Sequence, residues 1–456
     1  MVYIRCNSDG KECSRKQVLM MYAWKQKGGP FMGVISETIK EMQGYKLHVV
    51  QTEKFKTNTI VWKMKAPLSK DQVTQRALLP HVLQASTAGF PTTAKLRSYL
   101  DDLYGANMFV DVSKKGEYQV ISLSIEVANE KFLSDSTPLL AKALELLSEM
   151  IRNPLAENGA FDSETVDKEK RTLKQRIQSV YDDKMRYSSF RLIQEMCAGE
   201  PYSLPVNGEL EDVDKITATS LYEYYQKAFA EDELDLYVIG DVSPEQVATT
   251  ASTLFQFAER TPKESNSLNG ANREEKTIKE KQDVKQGKLN IGYRTNVKYG
   301  DRDYYALQLF NGIYGGFSHS KLFLNVREKN SLAYYVASRL ESHKGLMMVM
   351  SGVEFENFDL AVKIIKEQME AMKSGDFTEE EIDQTKAVIE NQLLETLDTA
   401  RGMVELLYHN VVSKVEVSLD DWLKGMQETT KDEVVAVANK VNLDTIYFLT
   451  GMEAAE

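Results

Sequence analysis

Six residues that recur at one offset constrain this chain more than any other feature. Phe161, Val166, Asp167, Lys170, Leu173 and Ile177 return 216 positions later as Phe377, Ile382, Asp383, Lys386, Ile389 and Leu393. Gly89-Phe90 and Lys95-Leu96 have counterparts in Gly316-Phe317 and Lys321-Leu322, and the strand-like Thr445–Leu449 before Gly451 mirrors Tyr237–Ile239 before Gly240. Self-similarity of this kind marks a duplicated structural unit. The chain is therefore expected to hold two homologous halves.

Inside the halves the periods are mixed. Leu47–Val50 and Thr59–Met64 read as strands around a Lys/Thr-rich turn, and Tyr118–Val127 alternates as a sheet strand with one wet face. Leu78, Leu79, Val82 and Leu83 mark a helix over Gln72–Ser86; Leu139 to Ile151 form a broad helical stripe after Pro138. Ser163–Val180 reads as a further helix, and Glu379-Glu380-Glu381 after Thr378 as the acidic first turn of another. Each half is expected to be α+β, a mostly antiparallel sheet with helices packed on one face. Residues 260–286, rich in Lys, Glu, Asn and Ser, read as an exposed linker between a first domain at 32–259 and a second at 287–456. Residues 1–31 are polar and cationic and show no apolar period. Lys27-Gly28-Gly29, two residues before Met32, is what a purine-rich ribosome-binding site would encode in frame. That stretch is expected to be a disordered or artefactual extension, with translation starting at Met32.

Composition excludes several classes. A net charge of −12 disfavours phosphate neutralisation and an anionic membrane face, so neither nucleic acid nor membrane is an expected partner. No apolar run approaches the roughly 20 residues of a membrane span, and no signal peptide opens the chain, which makes the cytoplasm the expected compartment. Cys6, Cys13 and Cys197 form no Cys-x-x-Cys pair and imply neither a disulfide framework nor a structural zinc site.

The chemically suggestive stretch runs from Gly315 to Val336. Gly315-Gly316 opens it as a loop, apolar residues at Leu322, Leu324 and Val326 suit a helix, and Leu332–Val336 begins a strand. Arg327 near the helix end and Tyr334 beyond the turn can face one space and offer a guanidinium fork and a phenol to a backbone carbonyl. From spacing alone the favoured reading is a surface Arg and a half-buried strand Tyr, because an Arg followed by a Tyr is common. His319, in the glycine loop, reads as a solvated side chain.

The block Ser320-Lys321-Leu322-Phe323, Arg327-Glu328-Lys329, Leu332-Ala333-Tyr334 resembles the second-domain signature of the insulinase, pitrilysin and mitochondrial processing peptidase family, the inverzincins. The resemblance covers roughly Leu47 to Gly451. It implies that two halves close like a clam and that Arg327 and Tyr334, with Gly315 and Gly316, hold a substrate backbone. Zinc in that family is bound in the other domain by His-x-x-Glu-His, whose Glu is the general base, and by a later Glu. This chain departs there: it reads His81-Val82-Leu83-Gln84-Ala85, with Glu169 at the place of an earlier Glu and Arg176 at that of the third ligand. Gln84 cannot take up a proton as a carboxylate does, Ala85 has no donor atom, and a cation opposes zinc. None of His48, His81, His319, His343 and His409 is paired at i+3 or i+4.

The expectation is a degenerate zinc site, no cofactor on this chain and no catalysis by it alone. By resemblance to the two-chain bacterial members, a paralogous subunit bearing His-x-x-Glu-His would bring the zinc, and a peptide or unfolded protein segment would lie between the two. Phe90-Pro91-Thr92 and Leu103–Ala106 further resemble a bacillary branch associated with aminopentanol modification of elongation factor P. The alternative is a structural or recognition subunit without a peptidase role, in which the Arg/Tyr block is a remnant of the fold.

Overall fold

A computed structural model describes residues 36–134, 137–265 and 274–452; the extension expected at 1–31 lies outside the described residues. Glu37 onward forms one compact unit built on two sheets. The first runs in the order Glu37–Met42, Tyr45–Gln51, Glu233–Gly240, Thr57–Pro67, Tyr118–Ala128, Asn107–Lys115. The second runs Lys276–Lys281, Asn442–Thr450, Gly287–Arg294, Leu346–Val353, Ala333–Glu341. Without the strand Glu37–Met42 the orders coincide. Each sheet has a single parallel pair at the same place, Tyr45–Gln51 with Glu233–Gly240 and Lys276–Lys281 with Asn442–Thr450, and its other pairs are antiparallel.

Lys276–Lys281 corrects the expected linker, because it is an edge strand. Its Lys/Glu-rich sequence hid it; charged side chains are a usual device for keeping an exposed sheet edge from pairing with other chains. Among the described linker residues Arg260 is also tied down, donating to the carbonyl oxygens of Phe229 and Asp232.

The repeated residues explain themselves in the packing. Phe161, Val166, Leu173 and Ile177 are buried in the first core, and Phe377, Ile382 and Ile389 in the second, with Leu393 also buried. The repeated lysines do the same job in each half. Lys170 Nζ donates to the carbonyls of Ile216 at 2.7 Å and Asp214 at 3.3 Å; Lys386 Nζ donates to those of Gln427 and Thr429, both at 2.8 Å. The helices that carry them span Ser163–Asp182 and Glu379–Leu397. Asp162 caps the first, and a reciprocal Thr378/Glu381 capping box starts the second, with the Glu379–Glu381 carboxylates at the positive end of its dipole.

One face of each sheet packs on its own helices. Each half also covers the other face of its counterpart. The helix Lys184–Met196 of the first half lies on Gly287–Arg294 and Asn442–Thr450, and Ala400–Ser413 of the second, at the same offset of 216, lies on Thr57–Pro67 and Glu233–Gly240. This overturns the wet face expected for Tyr118–Val127: Ser122 and Ser124 are buried, and Gln119, on the opposite face, is buried against its own half, where its amide donates to the carbonyls of Val73 and Val206. The polarity of Ser122 serves the contact between halves, where Lys63 Nζ bridges Ser122 Oγ at 3.1 Å and Glu405 Oε1 at 2.7 Å. In the mirrored contact Asn290 Nδ2 donates to Ser188 Oγ at 2.9 Å and Tyr187 to Glu280 at 2.6 Å.

Buried on the first sheet, His48 lies between Glu37 Oε1 at 2.7 Å and Asp235 Oδ1 at 3.1 Å and stacks on Tyr237. Burial alone would lower its pKa, but hydrogen bonds and charge from Asp235 and Glu37 outweigh it and raise the imidazole to about 9. A raised folded-state pKa gives stability that is full below the ordinary value of 6.5 and lost as pH rises through about 9. The advantage of the wild type over His48→Gln in urea unfolding should therefore shrink between about pH 6 and about pH 10. An advantage that stays constant over that range would refute the pairing.

Candidate functional site

The Arg/Tyr site is built by three backbone irregularities. First, the helix Tyr304–Asn311 continues into a π-helical turn, Gly312–Gly316. Gly315 and Gly316, expected in a substrate-facing loop, therefore sit inside a helix end, and neither lines the cleft described below. Gly315 is there because the chain passes so close to its neighbours: a Cβ would fall 2.7 Å from Leu322 Cδ1 and 2.7 Å from Ser338 Oγ.

Second, Phe323–Lys329 is also π-helical, a wide form that recurs at functional sites. Its apolar side is Leu322 and Val326, both fully buried, whereas Leu324 is 45% exposed. A two-residue step suits a strand, not a helix face, which is why Leu324 departs from the expected stripe. Arg327 lies on the open side, with its guanidinium 4.7 Å from the Phe323 ring centre and 3.6 Å from Glu328.

Third, the strand Ala333–Glu341 carries a β-bulge between Ala333 and Val336, with Ser351 Oγ donating to the Tyr335 carbonyl at 3.0 Å. An extra residue re-aims side chains. Here it leaves Tyr334 80% exposed. Arg327 and Tyr334 then face one cleft of about 490 Å³, whose wall also includes Gln286, Glu328, Ser331 and Glu354. Ser331 turns the chain between the two with a φ of +51°. The sequence reading missed Gln286 and Glu354, which come from the segments before and after the neighbouring strands. The Tyr-Tyr doublet that breaks the strand's alternation was the visible sign of the bulge. His319 is outside this cleft, its Nε2 bonded to Thr385 Oγ1 at 2.9 Å.

In the first half, Val73–Ala85 carries the degenerate zinc motif. Gln84 Nε2 donates to the Met108 carbonyl at 3.0 Å, so it anchors the helix to the strand Asn107–Lys115 and presents no carboxylate base. Burial, aided by the Arg176 charge, lowers His81 to about 4, and burial raises the neighbouring Glu169 carboxyl. One neutral imidazole facing a guanidinium, with no second donor at Ala85, does not fit zinc. Replacing Gln84→Glu, Ala85→His and Arg176→Glu together should restore binding of about one zinc per chain, because i and i+4 ligands share a helix face. The first two changes without Arg176→Glu should bind far more weakly. Metal analysis after dialysis checks both, and equal zinc in the two variants would contradict the role given to Arg176.

Comparison with known proteins accords with this geometry. Residues 215–389 match the model of the peptidase M16 inactive domain. The chain is 56% identical to the "Probable inactive metalloprotease YmfF" of Bacillus subtilis over 93% of its own length and all of that protein. It is 22% identical to the "Uncharacterized zinc protease YmxG" of the same organism, over 67% of this chain and 70% of the relative. A crystal structure of a conserved protein from Enterococcus faecalis matches with a TM-score of 0.85 and 34% identity, covering 92% of this chain and 99% of the other. The chain thus belongs to the M16, or insulinase-like, peptidase family, as a member that is not catalytic on its own.

Proposed function

We propose that this chain is the zinc-free subunit of a two-chain M16 peptidase and holds the peptide backbone for a zinc site on its partner. One observation carries the reading: Arg327 and Tyr334 stand exposed on one cleft, where a π-helix and a β-bulge hold their backbones. In this role the Arg327 guanidinium and the Tyr334 phenol donate hydrogen bonds to a substrate carbonyl. Charge-assisted donation from Arg fixes the position of the peptide and favours the oxygen as it gains negative charge. The peptide lies as an extended strand, the usual way a sheet-edge site reads backbone. Zinc on the partner supplies the Lewis acid and the activated water.

The division of labour follows the duplication, with residues 32–259 as the half that lost its metal and 287–456 as the half that kept its substrate contacts. The occurrence of zinc proteases of this family in the organism of the 56% identical relative supports a paralogous partner. Its setting is the cytoplasm. The tie to elongation factor P modification rests on the resemblance of Phe90–Thr92 and Leu103–Ala106.

Native purification followed by mass spectrometry tests the partnership. The expected result is a co-purifying protein of similar length bearing His-x-x-Glu-His. Self-association alone, or partners without that motif, would favour a recognition subunit with no peptidase role.

A further inference from the structure

A second pocket of about 510 Å³ opens where the two halves meet, beside the bulged strand. Its volume is within the roughly 300–1,000 Å³ range of ligand pockets. Ile177, Tyr181, Phe190 and Ile193 form one wall, and Met348 and Met350 form the opposite one. Tyr181 and Met185 stay 37% and 46% exposed at its mouth. Methionines adapt their shape to what they touch, so this lining suits apolar side chains of more than one form. Tyr335 belongs to this wall while Tyr334 lines the Arg327 cleft, so the bulge places the two sites back to back along one strand.

Charge narrows the ligand. The whole chain carries −12, yet every ionisable acid or base in the wall that is charged at neutral pH is a cation: Lys114, Arg186 and Arg339. Two of these are neutralised, Arg186 by Asp183 at 3.2 Å and Arg339 by Glu341 at 2.7 Å. Lys114 differs. Its ammonium donates to the carbonyls of Tyr202 at 2.9 Å and Leu204 at 3.0 Å and lies 4.3 Å from the Tyr202 ring centre. No carboxylate forms a salt bridge with it among the described residues. Burial lowers its pKa to about 8 although the charges of Glu341 and Glu117 act the other way, so neither carboxylate offsets the cost of setting this cation in the wall.

We infer that this pocket binds the C-terminal end of a peptide, taking an apolar last side chain between the tyrosine and methionine walls and the free carboxylate on Lys114. The inference rests on the peptide-holding role proposed above and assigns one end of that peptide. An internal segment brings the apolar group without an anion to join the two carbonyls at Lys114.

The test uses the full chain and a fluorescein-labelled decapeptide ending in Phe, as the free acid and as the C-terminal amide, read by anisotropy. The acid should bind at least about tenfold more tightly, the value of one hydrogen-bonded charge contact. Lys114→Met should erase the difference, Lys114→Arg should keep part of it, and Ala337→Trp, which fills the pocket, should weaken the acid while the circular dichroism spectrum is unchanged. Equal binding of acid and amide to the wild type would overturn the inference. So would tight binding of laurate with no binding of the peptide acid, since the occupant would then be a lipid-like amphiphile. Arg327→Ala separates the two ideas. An acid preference that persists while Arg327→Ala has no effect on the amide peptide would count against the cleft alone. Dependence on Arg327 without any acid preference would count against the pocket alone.

Discussion

Replacing Arg294 by Met should destabilise the chain by about 3–5 kcal/mol, the cost of leaving buried carboxylates without their cation. Arg294 ends the central strand of the second sheet and is almost fully buried. Its Nε donates to Asp444 at 2.8 Å, and its Nη2 to Glu200 at 2.7 Å and to the Met196 carbonyl at 2.8 Å. Glu200 also receives Lys344 at 2.7 Å, and Lys344 in turn pairs with Glu117. Glu117, Met196 and Glu200 come from the first half, and Arg294, Lys344 and Asp444 from the second. The network therefore fixes how the halves meet. Burial would raise the Glu200 carboxyl, but Lys344 and Arg294 hold it below its usual range, and without Arg294 only Lys344 opposes the burial.

Net stabilities of folded proteins are only about 5–15 kcal/mol, so a loss of this size would be visible as a large drop in the urea midpoint. A second variant separates a broken network from a missing one. Apolar replacement of a whole buried ion cluster is often neutral, so adding Asp444→Leu and Glu200→Leu to Arg294→Met should recover part of the loss. A single variant as stable as the wild type would mean that the halves are held by apolar packing alone.

The other large effect concerns activity. In a reconstituted pair, Arg327→Ala and Tyr334→Phe should each lower peptide cleavage on the order of 10²-fold, the usual loss when one donor to a developing oxyanion is removed. Stability should hardly change, because Tyr334 is 80% exposed and the Arg327 side chain is 42% exposed, lying against the Phe323 ring. That combination distinguishes substrate contacts from structural residues. If both variants cleave like the wild type, the Arg/Tyr block is a remnant.

Much of this architecture was legible in the chain because it is written twice. The repeated Phe161 to Ile177 face survives since each of its residues is packed or bonded in its own half, and the Lys170/Lys386 pair persists because each caps the same set of carbonyls. The loss of the zinc donors was equally plain, as no fold can supply a ligand atom at Ala85. What stayed hidden depended on the other half of the molecule. Ser122 and Ser124 look like a wet strand face until the second half covers it, with Lys63 joining Ser122 to Glu405 of Ala400–Ser413. The Lys276–Lys281 strand has the composition of a linker and is held by backbone pairing, to which composition is nearly blind. Gly315-Gly316 misled for a different reason: a glycine pair signals either a turn or a close approach, and spacing does not separate the two.

The most direct test mixes this chain with its zinc-bearing paralogue and follows cleavage of an unfolded peptide while metal is counted on each chain. The account predicts activity that is absent or slight from either chain alone, rises to a maximum at equal amounts, and tracks zinc bound to the paralogue. Full activity of the paralogue by itself, unchanged when this chain is added, would contradict it.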